Sequence, residues 1–350
     1  RDAIDRFRAV RAEAEESGTR RARLREGLGT NVPRRPGKWM SAAFLALLVF
    51  TEPGIASKDT RHTLEHGGRR LDLHISTQYE PAMQQNLLAW MDFISTTLLQ
   101  AFGYWPRQQV EVTVAPVAAG SSDPIPWAQV HRDTVNRVEF FTAPQATTEE
   151  LKHAWTGYHE LAHLLIPYRG WGDAWFSEGL ASYYQNVLQA RAGILTEQQM
   201  WQKLYEGYQR GLSETDFDGQ ALYAVSDKLR QNGGFMRVYW SGAWYFLAAD
   251  TRLRQQSSGS QNLDQALAKL NLCCAEQSMS VPQMVSKLDE LNRVVLFESL
   301  YEEVRGSRKI PEFEPIFASM GISVSNGEVK LQQEGPGARL RRQIAMRKPL

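Results

Sequence analysis

The amino-acid sequence predicts an α+β protein in which a small mixed α/β lobe is followed by a larger, mainly helical lobe. Alternation of apolar and polar residues, which is typical of strands, occurs chiefly before residue 147. From residue 147 onward, apolar residues recur mostly at helical spacing. The 350 residues, 43% of them hydrophobic, suffice for two lobes, and a formal net charge of +1 excludes a strongly basic nucleic-acid binder.

The first 56 residues are expected to precede the folded part of the chain. Residues 1–39 are rich in charge and lack an apolar face, which predicts a disordered leader or sequence upstream of the true start. Residues 40–56 have the order of a signal peptide, because basic residues precede an apolar run at 40–50 and small residues follow up to Ala56. The run is shorter than the ~20 residues that span a bilayer. We therefore expect export to the periplasm or the cell exterior without stable membrane insertion, and an uncleaved membrane anchor is the alternative.

The N-terminal α/β lobe is expected at residues 57–146. Its first motif, H-x-x-E-H from His62 to His66, is an inverted zinc motif, but Gly67 and Gly68 would end any helix that carried it, so no metal site is expected there. The apolar patterns beyond it predict strands at 71–77, 109–117 and 137–141 and a helix at 81–102.

The segment from His159 to His163 is an H-E-x-x-H motif. Residues i and i+4 of a helix lie on one face, so the two histidines can bind one metal ion with Glu160 beside them as a base. A T-x-x-E capping box at Thr147 and apolar residues at helical spacing place the motif in a buried helix. The alternative is a pair of core histidines without a metal.

A third ligand is expected from a second helix, because catalytic zinc usually has three protein ligands and one open position. Glu178 is the best candidate, since Asp173 has the residue type of an N-cap and Gly193 that of a helix end. Pro167 ends the first helix, and a short loop returns the chain. Asp173 has a second possible role, in which its carboxylate orients one of the histidines.

The H-E-L-A-H sequence at 159–163, followed by D-x-W-F-S-E-G-x-A-x-Y-Y at 173–184, resembles the gluzincin zinc metallopeptidases, in particular their peptidase-MA-like, alanyl-aminopeptidase and glycyl-aminopeptidase branches. This resemblance implies a thermolysin-like zincin fold, one zinc ion per chain and Glu178 as the third ligand, within an S-E-G step. Two features depart from the family. Only 14 residues separate His163 from Glu178, and the exopeptidase signature G-x-M-E-N is absent.

The resemblance also implies a tyrosine that stabilises the oxyanion and a strand that binds substrate. The sequence at 239–243 is similar to the Y-x-x-G-A of the aminopeptidase branch, which gives Tyr239 the oxyanion role. A core tyrosine is the alternative, and Tyr158 is the other candidate for the role. The segment 135–141 corresponds to the edge strand that pairs with an extended substrate, unless it is an ordinary internal strand.

The helical lobe is expected at residues 147–335. The apolar patterns predict further helices near 196–208, 222–229, 235–253, 263–272, 282–291 and 296–304 and a hairpin at 322–331. Residues 336–350 form a basic tail that we expect to be solvated. The two cysteines, Cys273 and Cys274, are adjacent, and we expect small apolar side chains rather than a strained bond between neighbours.

These observations predict an exported zinc metallopeptidase that acts on peptides or proteins. In that interpretation His159, His163 and Glu178 bind zinc, Glu160 is the general base and Tyr239 stabilises the oxyanion. Two alternatives stay open: a zinc hydrolase of a non-peptide substrate, and a binding protein that keeps the fold without turnover. The sequence leaves the oligomeric state and the choice between endopeptidase and exopeptidase action undecided.

Overall fold

The computed structural model describes residues 59–117, 120–132, 136–168, 170 and 172–346. The predicted leader and signal peptide lie outside these ranges. Among the residues described, no helix combines the length and the apolar character needed to cross a membrane.

A five-stranded mixed sheet forms the N-terminal part of the fold. Its order is β1-β2-β3-β5-β4, with β2, β3 and β5 parallel to one another and β4 antiparallel to β5. Helix α1 (Pro81–Phe102) connects the parallel strands β2 and β3, and its Trp90 packs edge-on against Phe140 of β5. The strands are β1 (Asp59–His66), β2 (Arg69–Ser76), β3 (Gln109–Pro116), β4 (Trp127–Arg132) and β5 (Asn136–Thr142).

The edge of the sheet differs from the prediction. Strand β5 pairs with β3 on one side and β4 on the other, so the prediction that 135–141 is a substrate-binding edge strand is wrong. Strand β4 occupies that edge instead. It has only six residues, and five of them are partly exposed, so it lacks the alternation that marks a strand in the sequence. The H-x-x-E-H segment lies in β1, which confirms that no helix carries it.

The H-E-x-x-H motif lies in the second of two short helices rather than in one long helix. Helix α2 (Thr148–His153) begins with the predicted capping box, in which Thr147 and Glu150 bond each other's backbone N–H groups. The backbone of Ala154 is extended, and α3 (Trp155–Ala162) starts after it and passes into a 3₁₀ turn at His163–Leu165. Trp155, the first residue of α3, is 45% exposed, although the sequence predicts a buried helix here.

The helical lobe is built around two long helices, α4 (Ala174–Arg191) and α8 (Phe235–Gln256). Their backbones touch at Gly179 and Gly242, where a Cβ on Gly242 would lie 2.0 Å from the carbonyl oxygen of Trp175. The other helices are α5 (Glu197–Ser213), α6 (Leu222–Asp227), α7 (Leu229–Asn232), α9 (Leu263–Cys274), α10 (Val281–Asn292), α11 (Phe297–Arg305) and α12 (Glu314–Ser319). A hairpin of β6 (Ile322–Ser325) and β7 (Glu328–Leu331) follows, as predicted.

Two details of the lobe correct the prediction. The tail contains a helix, α13 (Pro336–Ala345), in which Arg341 is 1% exposed and donates hydrogen bonds to Glu197 and to the carbonyl oxygens of Gly321 and Gln332. The expectation of a solvated tail is therefore wrong as far as residue 345. The adjacent cysteines at the end of α9 are joined by a disulfide rather than separate.

A buried ion pair and its hydrogen bonds hold the C-terminal end of α4. Arg191 pairs with Asp264 of α9 at 3.1 Å and also donates a hydrogen bond to the carbonyl oxygen of Ile344 in α13, at 2.9 Å. Asp264 accepts a further bond from the Tyr184 hydroxyl. These paired, hydrogen-bonded charges connect α4 to two helices that are distant in sequence.

Candidate metal centre

Three side chains converge between α3 and α4. The Nε2 atoms of His159 and His163 lie 3.3 and 3.6 Å from Oε2 of Glu178, and the three potential ligand atoms are all within 4.8 Å of one another. Ligands placed about 2.0–2.1 Å from a tetrahedral zinc ion lie roughly 3.3 Å apart. The set of two imidazoles and one carboxylate therefore fits a catalytic zinc ion. The three residues that the structure brings together are the three ligands that the sequence predicts.

Each histidine is held by a hydrogen bond from its other ring nitrogen. Nδ1 of His159 lies 2.8 Å from Oε1 of Gln185, and Nδ1 of His163 lies 3.0 Å from Oγ of Ser177. Such bonds fix the imidazole orientation and direct Nε2 into the site. Neither partner was predicted from the sequence, although Gln185 lies two helical turns after Glu178 and so shares its face of α4.

Asp173 lies at the N-cap position of α4, as predicted, but it does not cap the helix through its side chain. Its backbone is left-handed and its carboxylate makes no capping hydrogen bond. The carboxylate instead accepts hydrogen bonds from Nε1 of Trp175 and from the hydroxyl of Tyr301. Asp173 thus links the start of α4 to α11, and the described hydrogen bonds of its carboxylate go to Trp175 and Tyr301 rather than to a histidine.

Burial and the neighbouring charges prepare these side chains for metal binding and proton transfer. Burial raises the pKa of Glu160 to about 7, against a smaller opposing effect of His159. Burial also lowers the pKa of His163 to about 3, so its ring is neutral and its lone pair is available at pH 7. For Glu178, burial favours the neutral acid, but His163 and His159 outweigh it and lower the pKa to about 2, which keeps the carboxylate ionised.

Aromatic rings border the site on the side of His159. The ring of Tyr239 stacks on the His159 ring at 6.0 Å with an interplanar angle of 22°, and the exposed Trp155 meets the same ring edge-on at 5.4 Å. Tyr158 is directed elsewhere, because its hydroxyl donates to the carbonyl oxygen of Lys152 and its side chain is buried. Of the two tyrosines considered from the sequence, Tyr239 is the one that the structure places beside the metal ligands.

A guanidinium group borders the site on the side of His163. Arg132, the last residue of β4, donates from Nη2 to Oγ of Ser177 at 3.0 Å. Its Cζ atom lies 5.1 Å from the centre of the Tyr168 ring. No pattern in the sequence pointed to Arg132, since β4 itself was not predicted.

The comparisons with known proteins agree with this geometry. Residues 149–242 match the family model of the M61 glycyl aminopeptidases, a stretch that includes His159, Glu160, His163, Glu178 and Tyr239. No curated protein sequence matches the chain. The chain thus resembles the gluzincin metallopeptidases over the segment that carries the candidate ligands.

Two solved structures show similarity over a longer range. An aminopeptidase N family protein from Idiomarina loihiensis aligns with a TM-score of 0.60 and 16% identity over 77% of this chain and 50% of that chain. An M1 zinc metallopeptidase from Deinococcus radiodurans aligns with a TM-score of 0.46 and 15% identity, over 73% of this chain and 53% of that one. The first likeness establishes a shared fold. The chain spans about half the length of these proteins.

Proposed function

We propose that this chain is a zinc-dependent metallopeptidase of the thermolysin-like zincin type, with one zinc ion held by His159, His163 and Glu178. The observation that carries the proposal is the spacing of the three ligand atoms, which matches tetrahedral coordination while both Nδ1 atoms are occupied by hydrogen bonds. The M61 family match over the same residues supports peptide bonds as the substrate.

Glu160 is the general base of the proposed reaction. Zinc held by His159, His163 and Glu178 would supply Lewis-acid chemistry, which makes water more acidic and polarises a carbonyl. Glu160 is adjacent to the ligands but outside the three-ligand cluster, and its raised pKa suits a group that accepts and returns a proton near neutral pH. It takes the proton of the attacking water and later delivers it to the leaving amine.

The substrate backbone binds along the outer edge of β4. That strand is one of the two edge strands of the sheet, and it lies against α3, since the Thr156 hydroxyl donates a hydrogen bond to the carbonyl oxygen of Ile125 just before the strand begins. Main-chain pairing with an edge strand binds an extended peptide without reading most of its side chains. We therefore expect several different peptides to be cleaved, each with an extended segment around the cut.

The test of this function measures metal and cleavage together. The purified chain should contain one zinc ion by elemental analysis and should cut a mixed peptide library, with products identified by mass spectrometry. Removal of the metal with a chelator should abolish cleavage, and added zinc should restore it, because the water-activating group leaves and returns. Protein that binds no zinc, or that binds zinc and cuts no peptide, would contradict the proposal.

Tyr239 donates a hydrogen bond to the oxyanion in this mechanism. Replacing Tyr239 with phenylalanine should lower kcat about 10²-fold with little change in KM, because the contact forms only as negative charge develops on the carbonyl oxygen. Steady-state kinetics on one cleaved peptide measures the effect. Tyr223→Phe, at a tyrosine that is 40% exposed on α6, is the matched control. An unchanged kcat in Tyr239→Phe would show that Tyr239 only packs against His159.

A further inference from the structure

Arg132 brings a permanent positive charge to the edge of the metal centre. Its guanidinium contacts Ser177, the residue that holds His163, and its charge acts on the carboxylates of both Glu160 and Glu178. Its side chain is partly exposed, so a bound peptide can reach it. A guanidinium in such a position favours carboxylates, which it binds with short, charge-assisted hydrogen bonds.

The position of Arg132 on β4 determines which part of a peptide it meets. The start of β4 lies near the start of α3, through the bond from Thr156 to Ile125, and its end lies near His163, through Arg132 and Ser177. The strand and the helix therefore run in the same direction. Arg132 and Trp155 lie at opposite ends of this arrangement, one beside His163 and the other beside His159.

A peptide that pairs with β4 in the antiparallel direction places its amino-terminal side at Arg132. Antiparallel pairing is the more stable of the two arrangements per residue, and β4 already pairs that way with β5 on its inner edge. The residues before the scissile bond then approach the guanidinium, and those after it approach the exposed ring of Trp155.

We propose that Arg132 is a specificity-determining residue, which selects substrates with an acidic side chain on the amino side of the scissile bond and disfavours a free amino terminus there. This inference rests on the proposed peptidase function. A substrate ammonium group at that position faces a like charge, whereas a glutamate or aspartate forms an ion pair. The site accordingly suits an endopeptidase that cuts after or near acidic residues.

The experiment compares matched peptides built on one sequence that the protein cuts. The position nearest Arg132 on the amino side carries Glu, Gln or Lys, and each peptide is made with an acetylated and with a free amino terminus. The wild-type protein should show a kcat/KM about 10-fold or more higher for the Glu peptide than for the Gln peptide, because only glutamate forms an ion pair with Arg132. Its kcat/KM should also be higher for acetylated peptides than for free ones, because acetylation removes a positive charge that Arg132 repels.

Three substitutions at Arg132 separate recognition from support of the metal site. Arg132→Gln should bring the ratio of kcat/KM for the Glu peptide to that for the Gln peptide to about 1. Arg132→Glu should make the Lys peptide the preferred substrate, and Arg132→Lys should keep part of the preference for Glu. Zinc content and circular dichroism report whether each variant is folded and loaded. Arg70→Gln is the matched control, because Arg70 lies on β2 with a half-exposed side chain and loses the same charge. A uniform fall in kcat with an unchanged Glu/Gln ratio would overturn the inference, since it would assign Arg132 to holding Ser177.

Binding to an inactive protein tests the same inference without turnover. Fluorescence anisotropy with labelled peptides on zinc-loaded Glu160→Gln should show about 10-fold tighter binding of the Glu peptide than of the Gln peptide, and Arg132→Glu in that background should reverse the order. If wild-type protein cuts no peptide and this preference persists, the peptidase function fails while the selectivity of Arg132 stands. Equal binding of both peptides would overturn the inference.

Discussion

Replacing Glu160 with glutamine should reduce peptide hydrolysis by about 10²- to 10⁴-fold, which is the range for loss of a general base. Glutamine has nearly the same shape but cannot take the proton from the attacking water. Glu160 lies outside the three-ligand cluster, so we expect one zinc ion per chain in both proteins. The decrease should therefore appear in kcat and in kcat/KM alike.

The measurement pairs zinc analysis with single-peptide kinetics on wild-type protein and Glu160→Gln. Glu149→Gln is the matched control, because Glu149 lies on α2, just before the motif, with a side chain that is 69% exposed. Its activity should equal that of the wild type. Retention of substantial activity by a zinc-loaded Glu160→Gln protein would assign proton transfer to another group.

Gly242→Ala should cause a large loss of stability. The added Cβ would lie 2.0 Å from the carbonyl oxygen of Trp175 and 2.6 Å from Cα of Gly179, and both are backbone atoms of α4 that cannot rotate away. Helices α4 and α8 must then separate. Overpacking of this kind costs about 3 kcal/mol or more at its upper range, which corresponds to a decrease in Tm of roughly 6–12 °C for a large domain.

Thermal unfolding followed by circular dichroism measures this decrease, with protein concentration and zinc content held constant. Gly306→Ala is the matched control, since its nearest new contact is an ordinary 3.4 Å approach to the carbonyl oxygen of Glu302 and its φ is negative. That substitution should leave Tm unchanged or raise it slightly. A Gly242→Ala protein with the Tm of the wild type would show that the two helices adjust without cost. Because α8 also carries Tyr239, we expect activity to fall along with stability.

The three candidate ligands were predictable because their chemistry imposes a short-range pattern. The i, i+4 spacing of His159 and His163 and the S-E-G step at Glu178 lie within 20 residues of one another. The same reasoning gave α1 at its observed bounds and most helices of the C-terminal lobe. Periodicity succeeds best in helices such as α5, α10 and α11, where buried apolar residues recur at helical spacing between exposed polar ones.

The features that the sequence did not reveal depend on partners far along the chain. Strand β4 is short and partly covered on both faces, so no alternation marks it, and Arg132 was missed with it. Arg341 looked like a solvated tail residue because its partners, which include Glu197 and backbone carbonyl groups near residues 321 and 332, are recognisable only in the folded chain. The hydrogen bonds of Gln185 and Ser177 to the histidines could not be predicted without knowing which face of α4 meets His159 and His163.

The hydrogen bond between Arg191 and the carbonyl oxygen of Ile344 affects the order in which parts of the protein can fold during synthesis. Helix α4 carries Glu178, yet one of its buried contacts comes from α13, which the ribosome adds more than 140 residues later, since the two bonded residues are 153 positions apart. Nascent chains fold from the amino end as they emerge. The helix that carries Glu178 thus lacks one of its buried hydrogen bonds until α13 has been synthesised, so its final position is fixed later than its place in the sequence suggests.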